Sequence, residues 1–444
     1  MKLRHAWVLL LLGAWAPGLA SAQGGGLSAP TEADAASAWM NPASMSAGEG
    51  SYLELMGGVL PVGAQYTTAD GRRSETFGIA PLGTLGGYTD ALHPDWRIGF
   101  SLGLVRASGG TWSRDDPAGD ITRWYLVSGT SFHIAATPAV SWSPIPEFSV
   151  GLGVNLVYSN AASELDKDFG AQLNQTVMSD DLNSPFPYAN ADLAAPVTVE
   201  GDGVGMGGIL GFLVRPIPEV SLAASVHSPV PLTTTGTLNV AYPDRLRAFV
   251  DDVLPSAELP EIRGDIFMDF DLPLYLLFGA AFRPHEMVQI TTQYRYENQA
   301  SQPNFYVRVD EATRTSDSLT DNVKPQAFVD RHQVFLRVSV FPIPELRIAA
   351  LSMFQTNSAP EATTAPNTLD FNRLELGLAA RWRIAPEFSV MAQYSHTFLF
   401  DTNVDESLFR PVAQPSLTAF NRPTPTGVYS GAANSVRLGV ALHL

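Results

Sequence analysis

The stretch SPIPEFSVGLGVNLVYS, residues 143–159, contains a proline corner followed by a run in which apolar residues alternate with small or polar ones. One face of the run carries Phe148, Val150, Leu152, Val154, Leu156 and Tyr158, and the other carries Ser149, Gly151, Gly153, Asn155 and Val157. Such an alternation predicts a β-strand. Ten residues at a rise of ~3.3 Å, tilted by roughly 40°, cover about 25 Å, which is the height of the lipid-facing band of an outer-membrane barrel.

The proline corner recurs, each time before another alternating run. The further corners are RPIPEVSL from Arg215, RPHEMVQI from Arg283, FPIPELRI from Phe341 and RIAPEFSV from Arg383, and HPDW from His93 is a comparable short turn. Proline fixes φ and cannot donate to a β-ladder, so it ends a strand. The spacing of the corners shrinks along the chain, which excludes a solenoid or propeller of fixed period.

Fourteen strands are predicted, and the short corners follow every second one of them. The strands are 51–60, 74–88, 96–107, 130–142, 148–160, 203–214, 220–240, 264–282, 287–307, 328–341, 346–354, 370–383, 388–400 and 434–444. Long polar segments follow the remaining strands, and short turns opposite long loops are typical of outer-membrane proteins. The sequence therefore predicts an all-β fold, a 14-stranded antiparallel transmembrane β-barrel. A large soluble β-protein does not account for this pattern.

Composition excludes several classes of function. The chain has 444 residues, no cysteine and a net charge of −17. An acidic chain is a poor partner for nucleic acid, whose phosphates need a basic surface. Without cysteine there is no disulfide framework and no thiolate metal site. No two of the eight histidines show metal-ligand spacing, so we expect no metal and no cofactor.

The first 22 residues are predicted to be a secretory signal peptide. Lys2 and Arg4 precede an apolar run that is too short to span a membrane, and ASA at 20–22 is a small-residue cleavage site. We expect the mature chain to lie in the outer membrane of a Gram-negative bacterium as a monomer, in contact with membrane lipid and lipopolysaccharide.

Residues 23–50 do not alternate and contain EADAASAWMNPASM at 32–45. This segment resembles the N-terminal hatch of the FadL-type (FadL/TodX-like) outer-membrane transporters of hydrophobic compounds. The hatch motif falls on Asp34, Ala35, Asn41, Pro42 and Ala43. The resemblance implies a hatch at 23–50 that plugs a barrel at 51–444. The stretch that precedes Asp34 is shorter than in typical fatty-acid members.

The resemblance also implies passive import of long-chain fatty acids or other hydrophobic small molecules. In this family the route leaves sideways through a kinked third strand. Gly103, Gly109 and Gly110 lie on or just after that strand and are candidates for such a lateral gate, because glycine allows a bulge.

Several arginines are predicted to face the lumen, because they alternate with apolar neighbours: Arg295, Arg337, Arg373 and Arg381. Each could bind a substrate carboxylate, or the group could form ion pairs that hold barrel and hatch together. Asn160 is a further ligand-binding candidate. It occupies the place directly after VY-x in the fifth strand, where fatty-acid members resembling this chain carry a basic residue.

No catalytic site is predicted. GFSLG at 99–103 matches the nucleophile-elbow pattern, but Ser101 lies within a predicted strand and no helix follows. Three alternatives to transport remain open. They are a FadL-like barrel that serves as an attachment or assembly scaffold, a general porin, and a barrel hydrolase that uses Ser101.

Overall fold

The computed structural model describes residues 27–168, 193–253, 259, 261–269, 271–316, 319, 321–409 and 424–444. The predicted signal peptide, 1–22, and the first part of the predicted hatch, 23–26, lie outside the described residues. Across the described residues, no helix is both long and apolar enough to cross a membrane.

The described residues are mostly β-strand. The strands are β1 Tyr52–Thr67, β2 Arg73–Thr89, β3 Trp96–Thr111, β4 Ser128–Ile145, β5 Phe148–Asp168, β6 Ala194–Ile217, β7 Val220–His227, β8 Thr233–Val240, β9 Ile262–Asp269, β10 Tyr275–His285, β11 Val288–Glu297, β12 Asn304–Val309, β13 Asn322–Pro325, β14 Arg331–Ile343, β15 Leu346–Gln355, β16 Arg373–Ala385, β17 Phe388–Val404 and β18 Gly427–His443. The α-helices are α1 Ser37–Met40, α2 Gly119–Thr122 and α3 Asp244–Val253, and the 3₁₀ turns are Pro42–Ala47, Gln299–Ser301 and Glu361–Thr363.

These strands form one closed antiparallel barrel. Strands at adjacent positions of the wall pair with each other, and β1 pairs with both β2 and β18, so the sheet closes on itself around the wall. Four positions in the wall are each occupied by two strands in succession: β7 with β8, β9 with β10, β11 with β12, and β13 with β14. Within the described part of the chain the wall therefore has fourteen positions, which confirms the predicted fold.

The interruptions differ from the sequence prediction, which treated 220–240, 264–282 and 287–307 as continuous strands. The strand predicted at 328–341 is continuous as β14, and β13 precedes it in a segment predicted to be a loop. The breaks include 228–232, which contains Pro229 and Pro231, and 271–274, which contains Pro273. Proline has no N–H to donate to the ladder, and each break therefore falls where the β-pattern meets proline. The two strands that share one wall position still pair with the two strands of the next position: β7 pairs with β10, and β8 pairs with β9.

The corners at the short-turn side interlock. The backbone N–H of Arg215 donates to the carbonyl of Glu147 at 2.8 Å, that of Arg283 to Glu219 at 2.8 Å, and that of Arg383 to Glu345 at 2.8 Å. Each corner thus satisfies a carbonyl of the preceding corner. The ring of corners closes the backbone hydrogen-bonding at the membrane edge, where an unpaired group is costly.

Residues 27–50, which we call the luminal segment, lie inside the barrel. The segment is largely buried and contacts β3, β4, β5 and β6 through the 3₁₀ turn at Pro42–Ala47. Asn41 is fully buried; its Nδ2 donates to the carbonyls of Pro30 at 2.8 Å and Phe212 at 3.0 Å. The side chain of Asn41 therefore ties the segment to itself and to the wall. Gly211 permits this contact, because a Cβ there would lie 2.0 Å from Asn41 Oδ1.

Replacing Gly211 with valine is expected to displace the luminal segment. The added Cβ collides with Asn41 and forces its two hydrogen bonds to break. Hydrogen exchange of residues 27–50, followed by mass spectrometry, should become at least about tenfold faster, as the loss of about 1.4 kcal/mol of local stability requires.

The matched control is Gly208→Val on the same strand, where an added Cβ meets nothing within 4 Å. Equal exchange in the two variants would show that Asn41 does not anchor the segment.

Candidate functional site

The wall contains an opening between β2 and β3. The ladder between them joins only 84–89 to 98–103, and the two strands meet again at an isolated bridge between Thr76 and Trp112. A cavity of about 710 Å³ occupies the interval. Its lining includes Val62, which faces the lumen, and Ile134, which faces outward and is 36% exposed. The cavity therefore passes through the wall; we call it the wall opening.

The predicted gate glycines lie around this opening. Gly103 is the last residue of β3 that pairs with β2, and Gly109 and Gly110 line the cavity. The exposed apolar side chains of Phe77 and Ile79 lie on the β2 side of it. The opening thus joins the lumen to the lipid-facing surface through an apolar frame.

A bulge in β3 determines what lies on either side of the opening. Leu104 pairs with Ile134 and Arg106 pairs with His133, so Val105 is an extra residue without a partner on β4. An extra residue inverts the alternation of the strand. Leu104 consequently lines the wall opening, whereas the side chain of Arg106 lines a second cavity inside the lumen.

This second cavity, of about 40 Å³, is rich in arginine, and we call it the charged cavity. Its charged lining residues within the described part of the chain are Arg106, Arg295, Glu297, Arg331 and Arg373. Glu297 is the hub: its Oε1 lies 2.8 Å from Arg295 Nη2, and its Oε2 lies 3.3 Å from Arg331 Nη1. Arg106 Nη2 is farther from Glu297 Oε2, at 3.8 Å. The lining carries more positive than negative charge.

One side of the charged cavity is aromatic. Trp39 of the luminal segment, His227 and Tyr275 pack together there, and the guanidinium of Arg295 lies 4.3 Å from the centre of the Tyr275 ring. The cavity can therefore receive a small anionic or polar group next to apolar surface. Among the described residues, no group of three or more His, Asp or Glu side chains is arranged to hold a metal ion.

The sequence was also compared with models of known protein families, and one of them matches. The sequence profile described as "Outer membrane protein transport protein (OMPP1/FadL/TodX)" matches residues 13–419. The chain belongs to the OMPP1/FadL/TodX family. Its members are outer-membrane transporters of hydrophobic compounds in Gram-negative bacteria, which confirms the predicted family and location. A search of curated proteins finds no significant match.

Solved structures share the fold of this family member. A FadL homologue from Pseudomonas aeruginosa gives a TM-score of 0.76 at 15% identity, with 97% of this chain and 100% of that chain covered. The toluene transporter TodX from P. putida gives 0.68 at 14% identity, covering 93% and 94%. The toluene transporter TbuX from Ralstonia pickettii gives 0.63 at 12% identity, covering 96% and 99%.

The four arginines predicted to face the lumen divide into two groups. Arg295 and Arg373 line the charged cavity, and Arg373 Nη2 donates to Gln355 Oε1 at 2.8 Å. Arg337 and Arg381 lie beneath the luminal segment instead. Arg337 forms an ion pair with Glu32, and Arg381 Nη2 lies 2.6 Å from Glu54 Oε2. The interpretation as an ion pair between barrel and luminal segment applies to Arg337. Binding of a substrate carboxylate by Arg295 or Arg373 stays a prediction.

Asn160 does not line the lumen, contrary to the prediction. In β5 the alternation that buries Ser159 on the inner face places Asn160 with the exposed Tyr158 on the outer face. It pairs with Phe132, which also faces outward. The family resemblance alone suggests a luminal position for Asn160, whereas the two-residue period of β5 places its side chain on the outer face of the barrel.

Sequence reasoning also missed three arginines. Arg331 and Arg347 lie at strand ends, where alternation gives little guidance. Arg106 lies on the face that strict alternation from Trp96 assigns to lipid, and only the bulge at Val105 turns it inward. An arginine predicted to face lipid in mid-strand is itself a signal, because a charge there is costly.

The hatch-motif residues hold the luminal segment together. Asp34 Oδ1 accepts from the N–H of Ala36 at 2.8 Å, and Asn41 Oδ1 accepts from the N–H of Ala43 at 3.2 Å. The carbonyl of Ala35 accepts a hydrogen bond from the Ser101 hydroxyl. Pro42 opens the 3₁₀ turn that follows Asn41. Ser101 is buried in β3 by this contact, so it does not have the geometry of an exposed nucleophile.

Glu32 is the main charged tether of the luminal segment. Besides Arg337, its carboxylate contacts Arg347 Nη1 at 2.9 Å and Gln289 Nε2 at 2.9 Å. Burial alone would raise the pKa of Glu32. The two guanidinium groups outweigh burial and lower that pKa to about 2, so Glu32 stays ionised at neutral pH.

We expect Glu32→Gln to loosen the luminal segment. Arg337 and Arg347 would then lie side by side without their shared carboxylate. Breaking a buried pair costs about 3 kcal/mol or more, which predicts roughly hundredfold faster hydrogen exchange of 27–50 at pH 7. The same substitution at Glu49, which is exposed in the same segment, is the control and should have little effect.

The pH dependence gives a second test of this tether. The pKa of Glu32 in the folded protein is lower than its ordinary value of 4.5. The stability that the Glu32 carboxylate gives to the luminal segment is therefore complete above pH 4.5 and is lost as pH falls toward about 2. The difference in exchange between wild type and Glu32→Gln at each pH should therefore persist to about pH 5 and then shrink. A difference that is independent of pH would contradict the role of the carboxylate charge.

Proposed function

We propose that this barrel passively imports long-chain fatty acids, or similar amphiphiles with one anionic end, and releases them sideways into the membrane. The bulge at Val105 is the observation that carries the proposal. It aims Arg106 into the charged cavity while Leu104, two residues earlier, lines the wall opening. A head group and a tail can therefore be held on the two sides of one strand.

Charge supports the choice of an anionic head group. Four arginines and one carboxylate line the charged cavity, and Arg106 lies beyond hydrogen-bond distance from Glu297. A carboxylate that enters can accept charge-assisted hydrogen bonds from Arg106 without displacing an existing close partner. A cavity of about 40 Å³ suits a head group and is too small for a chain.

The apolar frame of the wall opening supports sideways release. Its volume of about 710 Å³ and its residues Phe77, Ile79 and Leu104 suit a hydrocarbon tail. The luminal segment fills the barrel beneath the charged cavity, with Trp39 in its lining. We propose that this segment acts as a hatch which directs cargo to the side, and that residues 1–22 are the signal peptide removed during export.

A neutral aromatic hydrocarbon is the second candidate cargo. The packing of Trp39, His227 and Tyr275 along the charged cavity favours it, and two of the structural neighbours are toluene transporters. The excess of arginine argues for the anionic amphiphile, because a neutral ring leaves that charge without compensation.

Uptake by cells that lack their own fatty-acid transporter tests the proposal. Cells expressing wild type should take up radiolabelled oleate, and Arg106→Gln should reduce uptake at low oleate concentration by about tenfold, the loss expected for one charge-assisted hydrogen bond. Uptake of oleyl alcohol, which lacks the carboxylate, should be unchanged. The control is Arg308→Gln, since Arg308 is half-exposed and paired with Asp269 away from the cavity.

Equal loss of both compounds in Arg106→Gln would contradict head-group recognition. Uptake of toluene without oleate would favour the second candidate. A folded, surface-exposed barrel that takes up neither compound would favour the scaffold, and steady ion conductance would favour a porin.

A disulfide across the wall opening tests sideways release. A Cβ at Gly110 would lie 3.6 Å from the Cβ of Thr76, which is the separation found in disulfides. The chain has no other cysteine, so Thr76→Cys with Gly110→Cys can form one bond only. Oxidation should fix β2 to β3 and lower oleate uptake at least tenfold, and a reductant should restore it.

The control pair is Gln65→Cys with Glu75→Cys, which joins β2 to β1 where the ladder is already continuous. Oxidation of that pair should not change uptake. Full uptake through the oxidised β2–β3 pair would exclude the wall opening as the exit.

A further inference from the structure

The segment 356–372, which joins β15 to β16, is on the long-loop side but is folded into the mouth of the barrel. Loops normally run over the surface because their polar backbone needs water or another partner. The residues of this segment with little or no exposed surface are Ser358, Ala359, Thr363, Thr364, Ala365, Asn367, Thr368, Leu369, Asp370 and Phe371. It therefore occupies the outer lumen.

The partners of the segment come from several wall positions. Ala365, Leu369 and Phe371 belong to one apolar cluster with Tyr66 and Tyr429, which stack on the inner faces of β1 and β18. The same cluster contains Leu104 and Ala107 of the wall opening. Trp112, which follows β3 and belongs to the same cluster, donates through Nε1 to the carbonyl of Pro366 at 3.2 Å. The segment thus spans the mouth above the opening.

The segment has a shape of its own. Its 3₁₀ turn, Glu361–Thr363, is followed by a closed set of hydrogen bonds in which Thr368 Oγ1 donates to the carbonyl of Thr363 at 2.6 Å. The N–H of Ala365 donates to Thr368 Oγ1 at 2.9 Å. Because these bonds lie within the segment, it can leave the wall as one body without losing them.

Among the residues that the structure describes, one ion pair joins this body to the wall. Asp370 Oδ2 lies 2.6 Å from Arg331 Nη2, and both side chains are at most 4% exposed. The same oxygen accepts from the N–H of Ser358 at 2.6 Å and from its hydroxyl at 2.8 Å. The single carboxylate therefore gathers both ends of the segment onto β14.

Arg331 also reaches the charged cavity. Its second guanidinium nitrogen lies 3.3 Å from Glu297 Oε2, so the residue that fixes the segment from below is part of the cavity lining. Gln355 and Arg373, which directly precede and follow the segment, also line the charged cavity, and Trp39 of the luminal segment lines it as well. The segment therefore adjoins the charged cavity on the long-loop side.

We infer that residues 356–372 form an inner lid, latched shut by the ion pair between Asp370 and Arg331, which must open before cargo reaches the charged cavity. The lid goes beyond the proposed function and rests on it only for its effect on uptake. The closed position of the lid is defined by the contacts described above, without reference to any cargo. Opening exchanges the Asp370–Arg331 contact for water on both groups. It also breaks the hydrogen bonds that Pro366, Ser358 and Ala362 accept from Trp112, Val329 and Leu408, while the hydrogen bonds inside the lid remain.

Labelling of a single cysteine tests the lid without any cargo. Ala365→Cys places a thiol at a position with no exposed surface, in a chain that has no other cysteine. A membrane-impermeant maleimide added from outside should react slowly with this variant. Adding Asp370→Asn removes the charge of the latch and should raise the labelling rate at least tenfold. Ser358→Ala, which removes one hydrogen bond to Asp370, should raise it less.

Glu54→Gln is the matched control. Glu54 and Arg381 form a buried pair of similar length, 2.6 Å, beneath the luminal segment and far from residue 365. This variant should leave labelling at residue 365 unchanged. Folding of each variant is checked by the shift in gel mobility on heating, which intact barrels show. If folded Asp370→Asn and Ser358→Ala both label as slowly as the parent, the inference is wrong.

Oleate uptake in the same variants separates the lid from the proposed function. Faster labelling together with faster initial uptake in Asp370→Asn supports a lid on the cargo route. Faster labelling with unchanged uptake shows that the segment opens but does not control the route, and overturns the inference. Faster labelling with no uptake even in wild type leaves the lid in place and rejects fatty-acid import.

Discussion

In a membrane wall every backbone N–H and C=O group must find a partner within the protein, because lipid offers none. Closure of the sheet through β1 and β18 meets this requirement around the barrel, and the interlocked corners meet it at the short-turn edge. The missing ladder between β2 and β3 is therefore energetically unfavourable, because it leaves backbone groups in the wall without a partner strand. The ladder between 84–89 and 98–103 and the bridge between Thr76 and Trp112 join the two strands on either side of the gap.

The interior is organised by charge rather than by apolar packing alone. Below, Glu32 of the luminal segment pairs with Arg337 of the wall, and Glu54 of β1 pairs with Arg381 of β16. Above, Asp370 holds Arg331. Between them lies the charged cavity, where arginines outnumber carboxylates. Ion pairs thus hold the luminal segment below and residues 356–372 above. The charged cavity between them keeps an excess of positive charge, with which an anionic cargo can interact.

Much of the fold could be predicted from the sequence, because alternation along 148–159 and the recurring corners are local signals. The family resemblance added the luminal segment. The site was only partly predictable. Arg295 and Arg373 followed from alternation, but Arg106 did not, because one inserted residue at Val105 inverts the face of everything after it. Arg337 could be assigned to the lumen, yet its pairing with Glu32 joins residues 305 positions apart, and no local pattern records such a contact.

The pairing of β1 with β18 also bears on how the barrel assembles. The other ladders among the described residues join wall positions that follow one another in the chain, so each closes a comparatively short loop at little entropic cost. The contact between Tyr52 and His443 instead joins the two ends of the described barrel. Topology therefore lets the wall grow hairpin by hairpin as a curved open sheet, and the seam between first and last strands is the slow, non-local step. Until that seam forms, the edges of β1 and β18 are exposed templates for mispairing.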